Sequence, residues 1–209
     1  MIRVFGGGTS RSLRVAWLLE EMGIPYLIRP VDLLAGGEDA EFRAVNPAGF
    51  IPVMQDGDVT MVESIAIMEY LMARYGPTPL APAPDHPTFP LYQQFLHLGE
   101  AGLAASIYFV GGSRHFAPEA ERRNWTARQA LDVFESRLGL VTRQLARAPY
   151  LAGETFTAAD ISVAYARDLA QRFGDLVLGE GERAYMARTN GRDAYQRALA
   201  TSRAAMGGA

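Results

Sequence analysis

The fold is decided by residues 2–33, which read IRVFGGGTSRSLRVAWLLEEMGIPYLIRPVDL. The short apolar run at 2–5 predicts a strand, and the residues from 12 onward have the broad apolar face of a helix that ends at Gly23. A second strand is predicted over 25–33. Because a helical crossover of this length joins parallel strands, we expect a β-α-β unit at the start of an α/β domain.

The next segment predicts two more strands and a helix. Residues 50–63 alternate around Asp56-Gly57, a pair typical of a hairpin turn. Residues 64–76 have the apolar spacing of a helix, with Ser64 suited to cap it and Gly76 to end it. The first domain is therefore predicted to have the element order βαβ-ββα.

A proline-rich stretch then interrupts all regular structure. Six prolines fall between residues 77 and 90, a density that neither a helix nor a central strand tolerates. We expect a stiff linker and a domain boundary here, with a first domain over 1–78, a linker over 79–88 and a second domain over 89–209.

The second domain is predicted to be entirely helical. Its apolar residues recur with helical spacing in four segments: 88–110, 118–148, 158–173 and 183–204.

Composition narrows the classes of partner. The formal net charge is −3 and the isoelectric point is near 5.7, which argues against nucleic acid or an anionic membrane as a partner. No apolar run is long enough to cross a bilayer, and the first residues lack the basic start and apolar core of a signal peptide. We expect a cytoplasmic location.

Two missing residue types exclude several chemistries. The chain has no cysteine, which excludes a thiol nucleophile and a thiolate metal site, and all 20 of its basic residues are arginine. Without lysine there is no Schiff base and no Walker lysine. His97 and Glu100 have a spacing that can bind metal, but two ligands are too few, so no metal is expected.

The glycine-rich turn between the first strand and helix suggests an anion site. Backbone N–H groups at a helix N-terminus attract negative charge. The usual phosphate patterns fail because Arg11 stands where G-x-G-x-x-G needs its third glycine and the chain has no lysine. The same geometry lowers the pKa of a thiol, and here the thiol would have to arrive with a substrate. Thr9, Ser10 and Ser12 are candidate donors; alternatively, one hydroxyl caps the helix.

A second pair of motifs suits a short peptide. In NPAGFIPVM (46–54), a cis bond before Pro52 would leave the backbone of Ile51 outside the sheet, where it could pair with an extended ligand. In VES (62–64), Ser64 offers a hydroxyl and a backbone N–H to a carboxylate, and Glu63 offers its charge to an ammonium group.

Together these segments resemble the glutathione transferase superfamily. The matching pieces are SRSLRVAWLLEEMGIPY, NPAGFIPVM, VESIAIMEYL and TAADISVAYA, and the resemblance covers residues 1–205. The cysteine-type classes are excluded because the chain has no cysteine, and the threonine at position 9 is similar to the pattern of some bacterial, serine/threonine-type members. The resemblance implies an α/β thioredoxin-like N-terminal domain that binds glutathione. It also implies an all-α C-terminal domain that lines a second, apolar substrate pocket, and a homodimer.

The resemblance also assigns roles to residues of the first domain. Ile51, followed by Pro52, would pair with the cysteinyl backbone of glutathione, while Glu63 and Ser64 would hold its γ-glutamyl group. Thr9 or Ser10 would supply the catalytic hydroxyl that activates the thiol.

The resemblance also concerns three sites outside the residues already named: a second-substrate pocket, the start of a helix in the second domain, and a position where this sequence differs from many relatives. Tyr108 is a possible member of the second-substrate pocket, and Thr157 with Asp160 would form an N-capping box, which is structural. Phe50 stands where many relatives carry a lysine that binds the glycine carboxylate of glutathione. Arg11 or Arg43 could replace that lysine.

The expected function is that of a glutathione transferase. Glutathione is the co-substrate, bound as thiolate, and it attacks a small apolar electrophile or reduces a peroxide. A non-catalytic binding or interaction protein with the same fold is the alternative, and a phosphate-binding module is a third.

Overall fold

The computed structural model describes residues 1–33, 39–122 and 124–207, and the chain divides into two units. The first unit comprises Met1–Thr78 together with Gly191–Ala209, and the second comprises Pro79–Asn190. The α/β thioredoxin-like architecture followed by a helical region is confirmed.

A mixed four-stranded sheet with the order β2-β1-β3-β4 lies in the first unit. Its strands are β1 (Ile2–Gly6), β2 (Tyr26–Pro30), β3 (Val53–Asp56) and β4 (Val59–Val62). The predicted β-α-β unit is confirmed, because β1 and β2 are parallel. The predicted hairpin is confirmed too, but its turn is Gly57-Asp58, one residue later than expected, with Gly57 at φ 58°.

The helices of the first unit come from both ends of the chain. They are α1 (Ser12–Met22), α2 (Ala40–Val45), α3 (Ser64–Tyr75) and α9 (Asp193–Ala205). Helix α1 is buried from Ser12 to Leu19 because it packs against β1, α3 and α9. It ends at Gly23, whose left-handed φ of 65° lets its N–H return to the carbonyls of Leu19 and Glu20. Trp17 packs edge-on against Tyr195 of α9, with ring centroids 4.7 Å apart.

The second unit contains the remaining helices. They are α4 (Phe89–His97), a π-helical segment (Leu98–Ala104), α5 (Ala105–His115), a short 3-10 turn (Glu119–Glu121), α6 (Trp125–Leu145), α7 (Ala158–Arg172) and α8 (Glu180–Asn190). Helix α7 is buried along most of its length, and the π-helical segment approaches it closely where Gly99 faces Ser162. Within the described part of the chain, no helix is long and apolar enough to span a membrane.

Two predicted helices have different limits in the structure. The helix expected over 118–148 starts only at Trp125, because the side chain of Asn124 accepts the N–H of Ala127 at 2.9 Å and caps the helix there. The helix expected over 183–204 is two helices, since the backbone of Arg192 is extended, with ψ 137°, and separates α8 from α9.

Candidate functional site

Three loops of the first unit meet at one end of the sheet. Phe5 is the second-last residue of β1, and it is paired with Val53, the first residue of β3. Val53 is in turn paired with Val62, the last residue of β4. The chain therefore leaves β1, enters β3 and leaves β4 at the same end. This register places the glycine-rich loop, Ile51-Pro52 and Glu63-Ser64 beside one another.

An apolar cluster fixes these strand ends. Phe5, Val31, Phe42 and Val53 are buried together, and Ile51 packs against them. The side chain of Ile51 thus anchors the loop to the core. Its backbone lies outside the β3 ladder, whose pairing begins at Val53. The Ile51-Pro52 peptide is cis, and Pro52 is buried.

The glycines of the first loop are required for packing. A Cβ on Gly6, at φ 141°, would lie 2.6 Å from the Cβ of Ser12. A Cβ on Gly7, at φ 130°, would lie 2.9 Å from the sulfur of Met206, just beyond α9. Both residues also need a φ that favours glycine. Close packing and backbone conformation therefore account for these glycines, and no phosphate ligand is needed to explain them. The end of α9 is held to the same loop, because the N–H of Gly8 donates to the carbonyl of Ser202 at 2.8 Å.

The serines of this loop form a closed ring of hydrogen bonds. The N–H of Gly7 donates to Ser12 Oγ at 2.8 Å, Ser12 Oγ lies 2.7 Å from Ser10 Oγ, and Ser10 Oγ donates to the carbonyl of Gly7 at 2.8 Å. Each hydroxyl has one proton, so Ser12 donates to Ser10 and Ser10 donates to Gly7. The proton of Ser10 is used inside the loop.

The N-cap residue of α1 is Arg11, which makes no side-chain capping bond. The hydroxyl of Ser12 bonds back to Gly7. Thr9 and Ser10 are both partly exposed at the start of α1.

The loop before Ile51 is held by one buried amide. Asn46 Nδ2 donates to the carbonyl of Phe50 at 2.8 Å, and Asn46 Oδ1 accepts the N–H of Ala48 at 3.2 Å. The Phe50 ring is 38% exposed and offers no charge. Arg43 lies over this loop: its guanidinium fills the space in front of Gly49 and donates to the carbonyl of Pro47 at 3.1 Å. The Arg43 guanidinium therefore lies beside Gly49, one residue before Phe50, which stands where many relatives carry a lysine.

Glu63 and Ser64 form the start of α3. Glu63 is the N-cap residue, exposed, with φ 71°, a conformation that costs a non-glycine residue about 1 kcal/mol and is concentrated at functional sites. Ser64 was expected to cap the helix but is its first residue, so its own N–H points out of the helix start.

Arg14 is a member of the site that sequence reasoning missed. It is fully buried in α1, and its Nη1 donates to Ser64 Oγ at 3.3 Å. A guanidinium only donates, so Ser64 accepts this bond and keeps its own proton for another partner. A buried cation and the N-terminus of α3 then both favour an anion in front of Ser64. The one sequence signal was a charged residue inside the apolar face of α1.

Tyr108, Thr157 and Asp160 belong to the second unit. Tyr108 lies on α5, 57% exposed, with its ring 6.2 Å from that of Phe173. Thr157 and Asp160 make the reciprocal bonds of a capping box at the start of α7, including the N–H of Thr157 to Asp160 Oδ2 at 2.9 Å.

Asp160 organises more than this helix start. Its Oδ1 also accepts the N–H of Leu151 at 3.0 Å and the hydroxyl of Tyr185 at 3.1 Å. Burial raises the pKa of this carboxyl to about 6, against the lowering effect of these hydrogen bonds. These contacts stabilise the helical unit.

Comparison with known proteins gives a consistent result. A family model described as "Glutathione S-transferase, N-terminal domain" matches residues 10–74. Glutathione S-transferase 3 of Schizosaccharomyces pombe is 32% identical over 175 residues, which cover 78% of this chain and 72% of that protein.

Solved structures share the fold across both units. The bacterial transferase BphK, solved as a ternary complex, has a TM-score of 0.81 and 28% identity, over 96% of this chain and 98% of its own. A theta class glutathione S-transferase from Xanthomonas axonopodis pv. citri, solved with glutathione bound, has a TM-score of 0.79 and 30% identity, over 95% and 96% of the two chains.

Proposed function

This chain belongs to the glutathione S-transferase family, and from that premise we propose that it binds glutathione and activates its thiol. The observation that carries the proposal is the convergence of the glycine-rich loop, Ile51-Pro52 and Glu63-Ser64 at one end of the sheet. Each of these three segments has polar groups that can bind a different part of a tripeptide.

The γ-glutamyl end is assigned to the start of α3. Its carboxylate accepts hydrogen bonds from the hydroxyl and the backbone N–H of Ser64. The buried guanidinium of Arg14, which donates to the same hydroxyl oxygen, adds a favourable positive charge. Its ammonium group pairs with the exposed carboxylate of Glu63. The cysteinyl backbone lies along Ile51, whose N–H and C=O pair with it as a neighbouring strand would.

The glycine carboxylate is assigned to Arg43. Phe50 cannot bind an anion, whereas the Arg43 guanidinium lies over the same loop and has donors beyond the one given to Pro47. Arg43→Gln is expected to weaken glutathione binding several-fold, whereas Arg74→Gln, an exposed arginine at the end of α3, leaves the affinity unchanged.

Thr9 is proposed as the hydroxyl that stabilises the thiolate, with Ser10 as its support. The proton of Ser10 is used in the ring with Ser12 and Gly7, and donating it to sulfur would break the bond to Gly7. Thr9 stands next to this ring at the N-terminus of α1, where the helix dipole also favours an anion.

The activated sulfur supports two reactions. In conjugation the thiol proton leaves to solvent, a carbon–sulfur bond forms and the leaving group departs with its electron pair. In peroxide reduction two glutathione molecules are oxidised to the disulfide while the peroxide is reduced to an alcohol and water. Tyr108 is proposed to contact an apolar second substrate, and the protein is proposed to act as a cytoplasmic homodimer.

An ultraviolet pH titration of bound glutathione tests the proposal. A free thiol of this kind titrates near pH 8.5, and we expect the bound thiol to titrate at about 7 or below. Thr9→Ala should return the pKa of the bound thiol towards 8.5 with little change in affinity, while Ser10→Ala has the smaller effect. If glutathione binds but its thiol titrates like the free thiol, the protein binds glutathione without activating it. If glutathione does not bind, both the proposed binding and the proposed activation are refuted.

A further inference from the structure

A methionine at the end of α9 lies against the glycine-rich loop that precedes α1. A Cβ built on Gly7 would lie 2.9 Å from Met206 Sδ and 3.0 Å from Met206 Cγ, so the thioether packs directly on the Gly7 backbone. The N–H of Gly8 donates to the carbonyl of Ser202, one turn earlier in α9, at 2.8 Å. These two contacts hold the last turn of α9 on the loop, and all four residues belong to the first unit.

The Met206 side chain is also accessible to solvent. Met206 is 39% exposed, whereas Met54 and Met68, in the core of the same unit, are fully buried. A methionine sulfur reacts with a peroxide only where the peroxide can reach it. Met206 is therefore both a packing contact of the loop and a thioether that is open to oxidation.

Oxidation by a hydroperoxide needs no other reagent. The Met206 sulfur attacks the terminal peroxide oxygen, and the O–O bond breaks as the S–O bond forms. The departing oxygen takes the proton and leaves as an alcohol, or as water from hydrogen peroxide. The sulfur loses two electrons and the peroxide gains them. The product, methionine sulfoxide, is polar and carries one more atom on the sulfur that faces Gly7.

Ser202 offers a partner for the new oxygen. Its side chain is fully buried, and within the described part of the chain its hydroxyl makes no hydrogen bond. Residues four apart lie on the same face of a helix, so Ser202 and Met206 are neighbours along α9. A sulfoxide oxygen is the acceptor that this hydroxyl lacks, which favours an oxidised side chain turned towards α9 and away from Gly7.

We propose that Met206 is a site of oxidation by hydroperoxides, and that its sulfoxide releases the end of α9 from the glycine-rich loop. The oxidised side chain loses its apolar contact with Gly7, and the bond from Gly8 to the carbonyl of Ser202 opens as the last turn moves. Neither step involves glutathione.

One consequence rests on the proposed function. Thr9, the proposed thiol-activating hydroxyl, directly follows the two glycines that α9 holds, and the proposed reduction of peroxides brings an oxidant to this loop. Release of α9 is therefore expected to weaken glutathione binding. Oxidation and release are measured without glutathione, so they and the proposed function can fail separately.

Peptide mass spectrometry after treatment with hydrogen peroxide measures the modification. The oxidation rate of each methionine is compared with its rate in the same protein unfolded in urea. Met206 should react within about fivefold of its unfolded rate, whereas Met54 and Met68 should be slowed at least about twentyfold by burial. A Met206 rate as slow as theirs would overturn the proposal.

Hydrogen exchange of single backbone amides, followed by NMR spectroscopy without glutathione, measures the release. Oxidation should speed exchange of the Gly8 N–H at least about tenfold, because its acceptor is the carbonyl of Ser202. The Gly7 N–H is the internal control, since it donates to Ser12 Oγ within the loop and should exchange as before. Unchanged exchange at Gly8, or equal acceleration at Gly7 and Gly8, would contradict the release of α9.

Three variants of the full chain assign the effect to one sulfur. Met206→Leu retains an apolar side chain of similar size without sulfur, so peroxide should no longer speed exchange at Gly8. Met22→Leu is the matched control, because Met22 is a half-buried methionine at the far end of α1, and the peroxide response should persist. Met206→Gln places a polar group against Gly7 and should speed exchange at Gly8 without peroxide. A response that persists in Met206→Leu, or disappears in Met22→Leu, would assign the effect to another residue.

Calorimetry with glutathione tests the consequence for the site. Oxidised wild type should bind glutathione several-fold more weakly than untreated wild type, and peroxide should leave the affinity of Met206→Leu unchanged. Unchanged affinity of oxidised wild type, alongside faster exchange at Gly8, would overturn this consequence alone. Absence of glutathione binding to the untreated protein would refute the proposed function, whereas the oxidation and exchange results would keep their meaning.

Discussion

Glu21 of α1 and Arg192 before α9 are joined by two hydrogen bonds, although 171 residues separate them in sequence. Arg192 Nε and Nη2 donate to Glu21 Oε1 and Oε2 at 2.6 and 2.8 Å, and Glu21 also accepts Trp17 Nε1 at 3.0 Å. The Glu21 side chain is only 8% exposed. Within the first unit, this pair attaches the start of the last helix to α1.

Arg192→Gln is expected to lower the free energy of unfolding by about 2 kcal/mol, because it leaves a nearly buried carboxylate without its cation. Urea denaturation followed by circular dichroism measures the loss. Arg197→Gln is the matched control, because Arg197 of α9 pairs with Glu20, the neighbour of Glu21 in α1, but is 57% exposed. This control substitution should lower the free energy of unfolding by less than about 1 kcal/mol. Equal losses in the two variants would show that burial of the Glu21 pair does not matter.

Ser12→Ala should destabilise the glycine-rich loop. Ser12 is fully buried, and its hydroxyl is the acceptor for the N–H of Gly7, so the alanine variant leaves that N–H without a partner at a cost of about 1–2 kcal/mol. Ser10→Ala retains the bond between Ser12 and Gly7 and should cost less. The same urea titration compares them, and a Ser10→Ala loss at least as large as that of Ser12→Ala would contradict the proposed direction of the ring.

Much of the first unit could be predicted because its signals are local. The strand and helix periods in 2–33, the turn residues of the hairpin and the proline before β3 each depend on a few neighbouring residues, and the structure has the parallel pair, the hairpin and the cis peptide. The family resemblance, which combined several short motifs, is confirmed as well.

Contacts between distant segments could not be predicted. Helix α1 is apolar almost all round, which shows that it is covered, but nothing in its sequence says that α9 covers it. The same limit applies to Arg14, whose partner Ser64 is 50 residues away, and to Met206, which explains Gly7. Glu63 has a positive φ that no residue-type preference indicates.

Asp160 should make stability depend on pH in a defined direction. Its pKa is about 6 in the folded protein against 3.8 when unperturbed, so the folded state holds the proton more tightly than the unfolded state. Its contribution is therefore fully present below about pH 4 and is lost as the pH rises to about 6, a change of roughly 3 kcal/mol at 1.36 kcal/mol per pKa unit.

Asp160→Asn isolates this effect because asparagine does not titrate. The difference in unfolding free energy between wild type and variant, measured by urea denaturation from pH 4 to pH 7, should fall as the pH rises and then become constant. The variant is expected to be less stable at every pH, since an amide has one acceptor oxygen and Asp160 uses two. A difference that grows with pH would mean that the hydrogen bonds outweigh burial.

Arg14 is predicted to strengthen glutathione binding through Ser64. Ser64→Ala should weaken binding by about 1–3 kcal/mol, because it removes a hydrogen bond to a carboxylate. Arg14→Met should also weaken it, by removing both the bond that orients the Ser64 hydroxyl and the buried positive charge. Arg14→Lys retains the charge without the planar guanidinium and should recover part of the loss.

A double-mutant cycle separates a positioning role from a general loss of structure. If Arg14 acts through Ser64, Arg14→Met costs much less affinity in the Ser64→Ala background than in the wild type, and the pKa of the bound thiol is the same in all four proteins. Calorimetry gives the affinities, ultraviolet titration gives the pKa, and circular dichroism confirms that each variant is folded. Strictly additive losses would show that the 3.3 Å contact between Arg14 and Ser64 carries no coupling. A raised thiol pKa in Arg14→Met alone would instead place the influence of this buried cation on the sulfur.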